Sequence, residues 1–411
     1  MLVLAALARS RDDSYSISPM TTAQTAETGV GLEPQLTRER LLSLDVYRGL
    51  AVAGMILVDN PGSDEGAYWP IKHAEWNGWT PADLIFPSFL FLVGISLVFS
   101  FSSRMEKGDS RRAVWLHVLR RSTILILVGL FVNAMPIYGL DLHTWRFYGV
   151  TQRIALCYLV ASALELWTGR RGQVIALLTC LLGYWALVRF APVPGLGIPG
   201  RDIPFLDPNR NLVAWLDRRL FMGHLYSGTR DPEGLLSTIP AIGTTVLGML
   251  TGHWLRSNLN MKSKLMGMFA AGGVGLIAGM LWSRWFPINK NLWTSSFVLF
   301  SGGFCLLILG VLYWALEIQK CQGAWSMPFL VFGMNAIAGF VADSLVYGPG
   351  YTFTAMNPSG ARVNWHEAAQ AYLESFGLST ANASLAYSIA AVAFCWCCLW
   401  VLWRKKIFLK V

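Results

Sequence analysis

The sequence predicts an all-α polytopic membrane protein, a bundle of about ten transmembrane helices with cytoplasmic N- and C-termini. Three observations point there. The 411 residues are 54% hydrophobic and only 14% charged, with a mean hydropathy of +0.45. A soluble chain carries about a quarter charged residues, so the deficit is large. Apolar runs long enough to cross a bilayer as helices recur along the chain, and basic residues crowd alternate short loops.

Residues 1–37 read as a disordered cytoplasmic tail. Met1 to Ala8 is apolar but too short to span, no positive segment precedes it, and Ser10 to Thr37 is polar without periodicity. Met20 is an alternative start. Residues 40–411 form the membrane domain. Its spans are expected near Leu44–Asn60, Ala82–Ser102, His117–Pro136, Gly149–Trp167 and Gln173–Phe190. Five more follow near Leu236–Leu255, Leu265–Trp285, Thr294–Glu317, Met327–Tyr347 and Ser384–Trp403. The segments 103–116, 168–172, 256–264, 318–325 and the C-terminus hold most of the loop Arg and Lys, which places them in the cytoplasm. Loops 61–81, 137–148 and 286–293 are then outside and carry only Lys72, Arg146 and Lys290. The net charge of +9 therefore reads as topology, and no nucleic-acid partner is expected. Six of the seven cysteines lie in apolar runs, none at metal-ligand spacing with a histidine, so no metal is expected.

Ionisable residues inside spans are expensive and face partners or water. Asp45 and Arg48 are spaced to pair on one face of the first helix. Asp59 and Asn60 end that helix before Pro61-Gly62; Arg153, Asn335 and Asp343 lie in later spans. Three polar clusters fall on the outer side. Lys72-His73-Ala74-Glu75-Trp76-Asn77 leads to Thr80-Pro81-Ala82-Asp83, a capped helix start with Thr80 as N-cap and Asp83 as the capping-box acid. Asp231-Pro232-Glu233-Gly234 precedes the sixth span, where Asp231 also fits a plain N-cap. Pro287-Ile288-Asn289-Lys290-Asn291 is the third. A loop histidine alone is more often interfacial or structural than catalytic. Three such clusters on one face are compatible with a shared site.

Taken with Leu44-Asp45-Val46-Tyr47-Arg48-Gly49, Phe332-Gly333-Met334-Asn335 and Arg404-Lys405-Lys406-Ile407-Phe408, these motifs, in order from about Arg40 to the C-terminus, resemble the heparan-alpha-glucosaminide N-acetyltransferase family. The resemblance implies a transmembrane acyltransferase that moves acetyl from cytosolic acetyl-CoA to the amino group of a glucosamine-type sugar outside. It implies catalytic roles for His73, as acetyl carrier or general base, for Asp231 as its acidic partner, and for Asn60. Bacterial relatives usually read Asn-Asn-Pro-Gly at the end of the first helix, where this chain has Asp59-Asn60-Pro61-Gly62. Acetyl-CoA contacts are expected from Asp45, Arg48, Arg153, Arg404, Lys405 and Lys406, and acceptor contacts from Glu75, Trp76, Asn77, Lys290, Asn291 and Asn335. The expected partners are acetyl-CoA, an amino-sugar or glycan acceptor, the bilayer and a second copy in a homodimer. The location would be the cytoplasmic membrane in a bacterium. The alternative is a proton-coupled transporter with Asp45, Arg48, Asp59, Arg153 and Asp343 along a pathway. The lack of an internal repeat counts against it.

Overall fold

The computed structural model describes residues 41–63, 65–134 and 142–409. The tail expected at 1–37 lies outside them. Helices occupy all ten expected segments: α1 (Leu42–Asp59), α2 (Ile85–Glu106), α3 (Arg111–Asn133), α4 (Val150–Trp167) and α5 (Arg170–Phe190). After a short amphipathic α6 (Leu212–Phe221) come α7 (Thr238–Leu255), α8 (Met261–Trp282) and α9 (Ser295–Ile318). The segment expected as one span, Met327–Tyr347, is instead broken into α10 (Met327–Met334) and α11 (Ala336–Thr352), bent by 91° at Asn335. A two-stranded hairpin, β1 (Thr354–Met356) with β2 (Arg362–Asn364), and α12 (Trp365–Ser375) lead to α13 (Thr380–Arg404).

Among the described residues, six helices are long and apolar enough to cross a membrane, seven if the bent pair counts as one span. The chain is a multi-pass helical membrane protein. Only 17% of the apolar window of α8 and 22% of that of α13 is buried inside the protein, against 67% for the window of α2 with its preceding turn. Apolar surface left outward over that length is satisfied by lipid. α2 is therefore central, and α3, α5, α8 and α13 are peripheral.

Between apolar helices in lipid, close packing depends on small residues. A Cβ on Gly94 would stand 2.0 Å from the Thr245 carbonyl oxygen, and one on Gly248 2.0 Å from that of Phe91. α2 and α7 thus touch backbone to backbone, and neither residue can be replaced without parting them. Overpacking of this kind costs about 1–3 kcal/mol or more. Gly248→Val is accordingly expected to lower the thermal midpoint in detergent by several degrees; an unchanged midpoint would show that the helices have room to spare.

Candidate active site

The loop before α2 folds as its capping chemistry dictates. Thr80 precedes a 3₁₀ turn, Pro81–Leu84, with Pro81 at its first position. Asp83 Oδ2 accepts from the backbone N–H of Thr80 at 3.0 Å and of Ala74 at 3.1 Å. Its other oxygen, Oδ1, lies 2.8 Å from His73 Nδ1. One buried carboxylate therefore starts the helix, shapes the loop and orients the imidazole. With Nδ1–H donating to Asp83, Nε2 carries the lone pair. The His73 side chain is 45% exposed, within reach of a ligand.

Lys290 arrives from the loop between α8 and α9. Its Nζ sits 3.1 Å from Nδ1 and 3.4 Å from Nε2 of His73, and 3.4 Å from Asp83 Oδ1. The two loops are laced together: Gly78 N–H donates to the Ile288 carbonyl at 2.8 Å, and Asn289 Nδ2 to Asn77 Oδ1 at 3.2 Å. Asn289 itself is buried and caps its own turn through Leu292 N–H. An ammonium fixed beside an oriented imidazole is the arrangement that stabilises an oxyanion formed at a carbonyl attacked by, or near, Nε2.

Asp231 is not the acid behind His73. Its carboxylate is fully buried and forms a fork with Arg146, Nε to Oδ2 at 2.8 Å and NH2 to Oδ1 at 2.6 Å; Glu233 also takes Arg146 NH2. These two acids push the Arg146 pKa up, against the downward pull of burial. The family resemblance implied Asp231 as the acidic partner, and Asp83 read from the sequence only as a capping residue. In the fold it has both.

Arg153 also departs from expectation. It is buried at the same end as His73, with NH2 on the Gly234 carbonyl at 3.0 Å and on Ser237 Oγ at 2.5 Å, and it lies 5.2 Å from the Trp293 ring centroid. It fastens the 231–237 loop and does not join the cations of the opposite end. Asn335 is likewise far from an acceptor role. At the helix break its amide accepts from Leu409 N–H at 3.1 Å and donates to the Ile407 carbonyl at 3.3 Å, clamping the C-terminal segment. That clamp brings Arg404, Lys405 and Lys406, all exposed, to the end where Gly333 O lies 3.5 Å from Arg48. Arg48 pairs with Asp45 at 3.0 Å, as their spacing predicts, and donates to Ser96 at 3.0 Å.

The remaining expected residues sit around His73. Glu75 and Asn77 are exposed. Trp76 donates to the Leu206 carbonyl at 2.8 Å and carries Arg230 over its ring at 5.2 Å. Asn291 lines a crevice with Trp76. Asn60 is buried, donating to the Ile56 carbonyl at 2.9 Å and to Asp343 Oδ1 at 2.6 Å. Asp343 and Asp59 are neighbours, and Lys290 lies near enough for its charge to act on Asp59. The end of α1 thus joins α11 just behind the histidine. Arg146 and the contact between Asp343 and Asp59 left no motif in the sequence; only the isolated charges signalled them.

Fold and site together define a multi-pass helical membrane protein with a histidine, a carboxylate and a lysine converging at one end of its bundle. The chain belongs to the family described as heparan-alpha-glucosaminide N-acetyltransferase, catalytic, whose model matches residues 40–280. That span includes His73, Asp83, Arg146 and Asp231 and ends before Lys290. The heparan-alpha-glucosaminide N-acetyltransferase of Mus musculus is 32% identical over 275 residues, covering 56% of this chain and 41% of that protein. Its Homo sapiens counterpart is 33% identical over 261 residues, covering 53% and 38%. The alignments thus take in about two fifths of the length of these curated relatives.

Proposed function

We propose that the protein transfers acetyl from acetyl-CoA to the amino group of a glucosamine-type sugar at the His73 end of the bundle. The observation that carries this reading is the 2.8 Å contact of His73 Nδ1 with Asp83 beneath the Lys290 ammonium, in a chain of this family. Nε2 has two chemically balanced courses. As nucleophile it attacks the thioester carbonyl carbon, the C–S bond breaks, and the CoA thiolate leaves; the sugar amine then displaces the imidazole and gives up one proton, which the thiolate takes. As base, Nε2 removes that proton while the amine attacks the thioester directly; the C–S bond breaks and the departing CoA thiolate takes the proton back from Nε2. Lys290 faces the carbonyl oxygen in both.

The topology proposed for this chemistry has ten spans and cytoplasmic termini, with residues 1–37 as a tail and 40–411 as the acyltransferase domain. α1, α4 and α7 have 18 residues each, about 27 Å of helix and close to a hydrocarbon thickness. From Arg48 to Asp59 α1 rises about 16 Å toward His73. CoA phosphates held by exposed Arg404, Lys405 and Lys406 would stay in water while the uncharged pantetheine arm entered the bundle. Arg48, already engaged with Asp45 and Ser96, contributes field more than contact. A homodimer and a cytoplasmic-membrane location remain part of the proposal.

The deciding assay is transfer of radiolabelled acetyl from acetyl-CoA to glucosamine by the purified protein. No transfer and no acetyl-CoA binding would overturn the reading in favour of a carrier. Asp83→Asn is expected to lower turnover about 100-fold, since asparagine can no longer fix one imidazole tautomer. It should also cost about 1 kcal/mol of stability from the weakened cap. Undiminished turnover would remove Asp83 from the mechanism.

A further inference from the structure

We propose that Asp217 forms the floor of a subsite for a ring hydroxyl of the acceptor sugar, next to the His73 centre; this rests on the acetyl-transfer reading. Asp217 lies on α6 and is completely buried. Its Oδ1 accepts from Leu235 N–H at 3.2 Å, while Oδ2 makes no well-formed hydrogen bond among the described residues, although the Tyr148 hydroxyl stands within interacting reach of the carboxyl. Tyr148 stands beside the carboxyl, and neither its hydroxyl nor Oδ2 makes a well-formed hydrogen bond. A buried carboxylate oxygen left without a donor is costly, so such groups mark places where water or a ligand completes the set.

Asp217 opens onto a crevice whose walls include Trp76, Asn211, Arg230, Asp231 and Asn291. The crevice has an empty volume of about 210 Å³ counting its mouth, but only about 10 Å³ admits a water-sized group. That inner space suits one hydroxyl and no more. A sugar ring would rest at the mouth, between Trp76 and Asn291. Both walls adjoin the reacting centre along the chain: Trp76 follows His73 by three residues, and Asn291 follows Lys290. One ligand of pyranose size could therefore present its amine to His73 and a hydroxyl to Asp217. Arg146 cannot serve Oδ2 instead, being committed to Asp231 and Glu233.

Burial, with the neighbouring Asp231 adding to it, pushes the Asp217 pKa up to about 6, against the pull of Arg153. Arg230 faces it across the crevice. Because the folded pKa lies above the unfolded value of about 3.9, the native state binds the extra proton between the two. Asp217 thus favours folding fully at low pH, and the advantage is lost as pH rises through about 6. Asp217→Asn should then be as stable as the parent or more so above pH 6, the trade expected of a functional group and not of a structural one.

The test compares glucosamine with cyclohexylamine, an amine on a ring without hydroxyls, in the Asp217→Ala protein. The expected result is a 10–100-fold loss of kcat/KM for glucosamine, carried by KM, with cyclohexylamine unaffected. Asn291→Ala provides the same comparison should Asp217→Ala fail to fold. An unchanged preference would mean an ordered water only, and an equal loss on both amines a structural role; either overturns the proposal. Glucosamine binding without acetyl-CoA, read by thermal shift, separates the two readings. If the parent binds the sugar and Asp217→Asn loses it while no acetyl is transferred, the subsite stands and the transferase reading falls. If the parent transfers acetyl but Asp217→Ala matches it on glucosamine, the subsite falls alone.

Discussion

His73→Ala is expected to lose acetyl transfer by at least 100-fold, and as much as about 10,000-fold, while remaining folded. The fold should survive because the half-exposed ring supports nothing else: Asp83 keeps Lys290 and the N–H groups of Thr80 and Ala74 after the imidazole is gone. The thermal midpoint should therefore stay within a few degrees of the parent. A rapid acid quench with labelled acetyl-CoA adds the mechanistic answer. Label retained on the parent and absent from His73→Ala identifies the carrier course; turnover without retained label identifies the base. Full activity in the variant would dismiss His73 altogether.

The second large effect is on stability. Arg146→Ala is expected to cost about 3–5 kcal/mol, because it strands the fully buried Asp231 carboxylate and leaves Glu233 without its cation. Arg146→Lys should recover little of this, since a lysine ammonium cannot reproduce the two-pronged contact with Asp231. The paired change Arg146→Met with Asp231→Leu should cost less than Arg146→Ala alone, because it removes the charge along with its partner. Thermal unfolding in detergent measures all three. A loss below about 1 kcal/mol for Arg146→Ala would mean that water reaches Asp231 after all.

These expectations draw on residues that were unequally visible in the sequence. Amphiphilic patterning and composition place the ten helical segments, because apolar runs and basic loops are local properties of the chain. The capping chemistry at Thr80 to Asp83 is local too, and the structure builds it as read. So is the i,i+3 pair of Asp45 and Arg48. What local pattern cannot express is which loop meets which. It could not choose Asp83 over Asp231 as the neighbour of His73, nor find Arg146 behind Asp231. It gave no sign that the Met327–Tyr347 run would break at Asn335. A mid-span amide reads as a binding group until the returning C-terminal segment shows what it holds. Arg153 was legible along α4 as a charge inside a span, but the 231–237 loop folded over it was not.

The sequence by itself determined the class of protein, its family and the loops that hold the candidate site, since each is written in contiguous residues. The tertiary structure alone decided the pairings: His73 with Asp83 and Lys290, Asp231 with Arg146, Asn335 with the C-terminus. Contacts between residues more than two hundred positions apart, such as His73 and Lys290, form only when whole helices have packed, and packing is a property of all their surfaces at once.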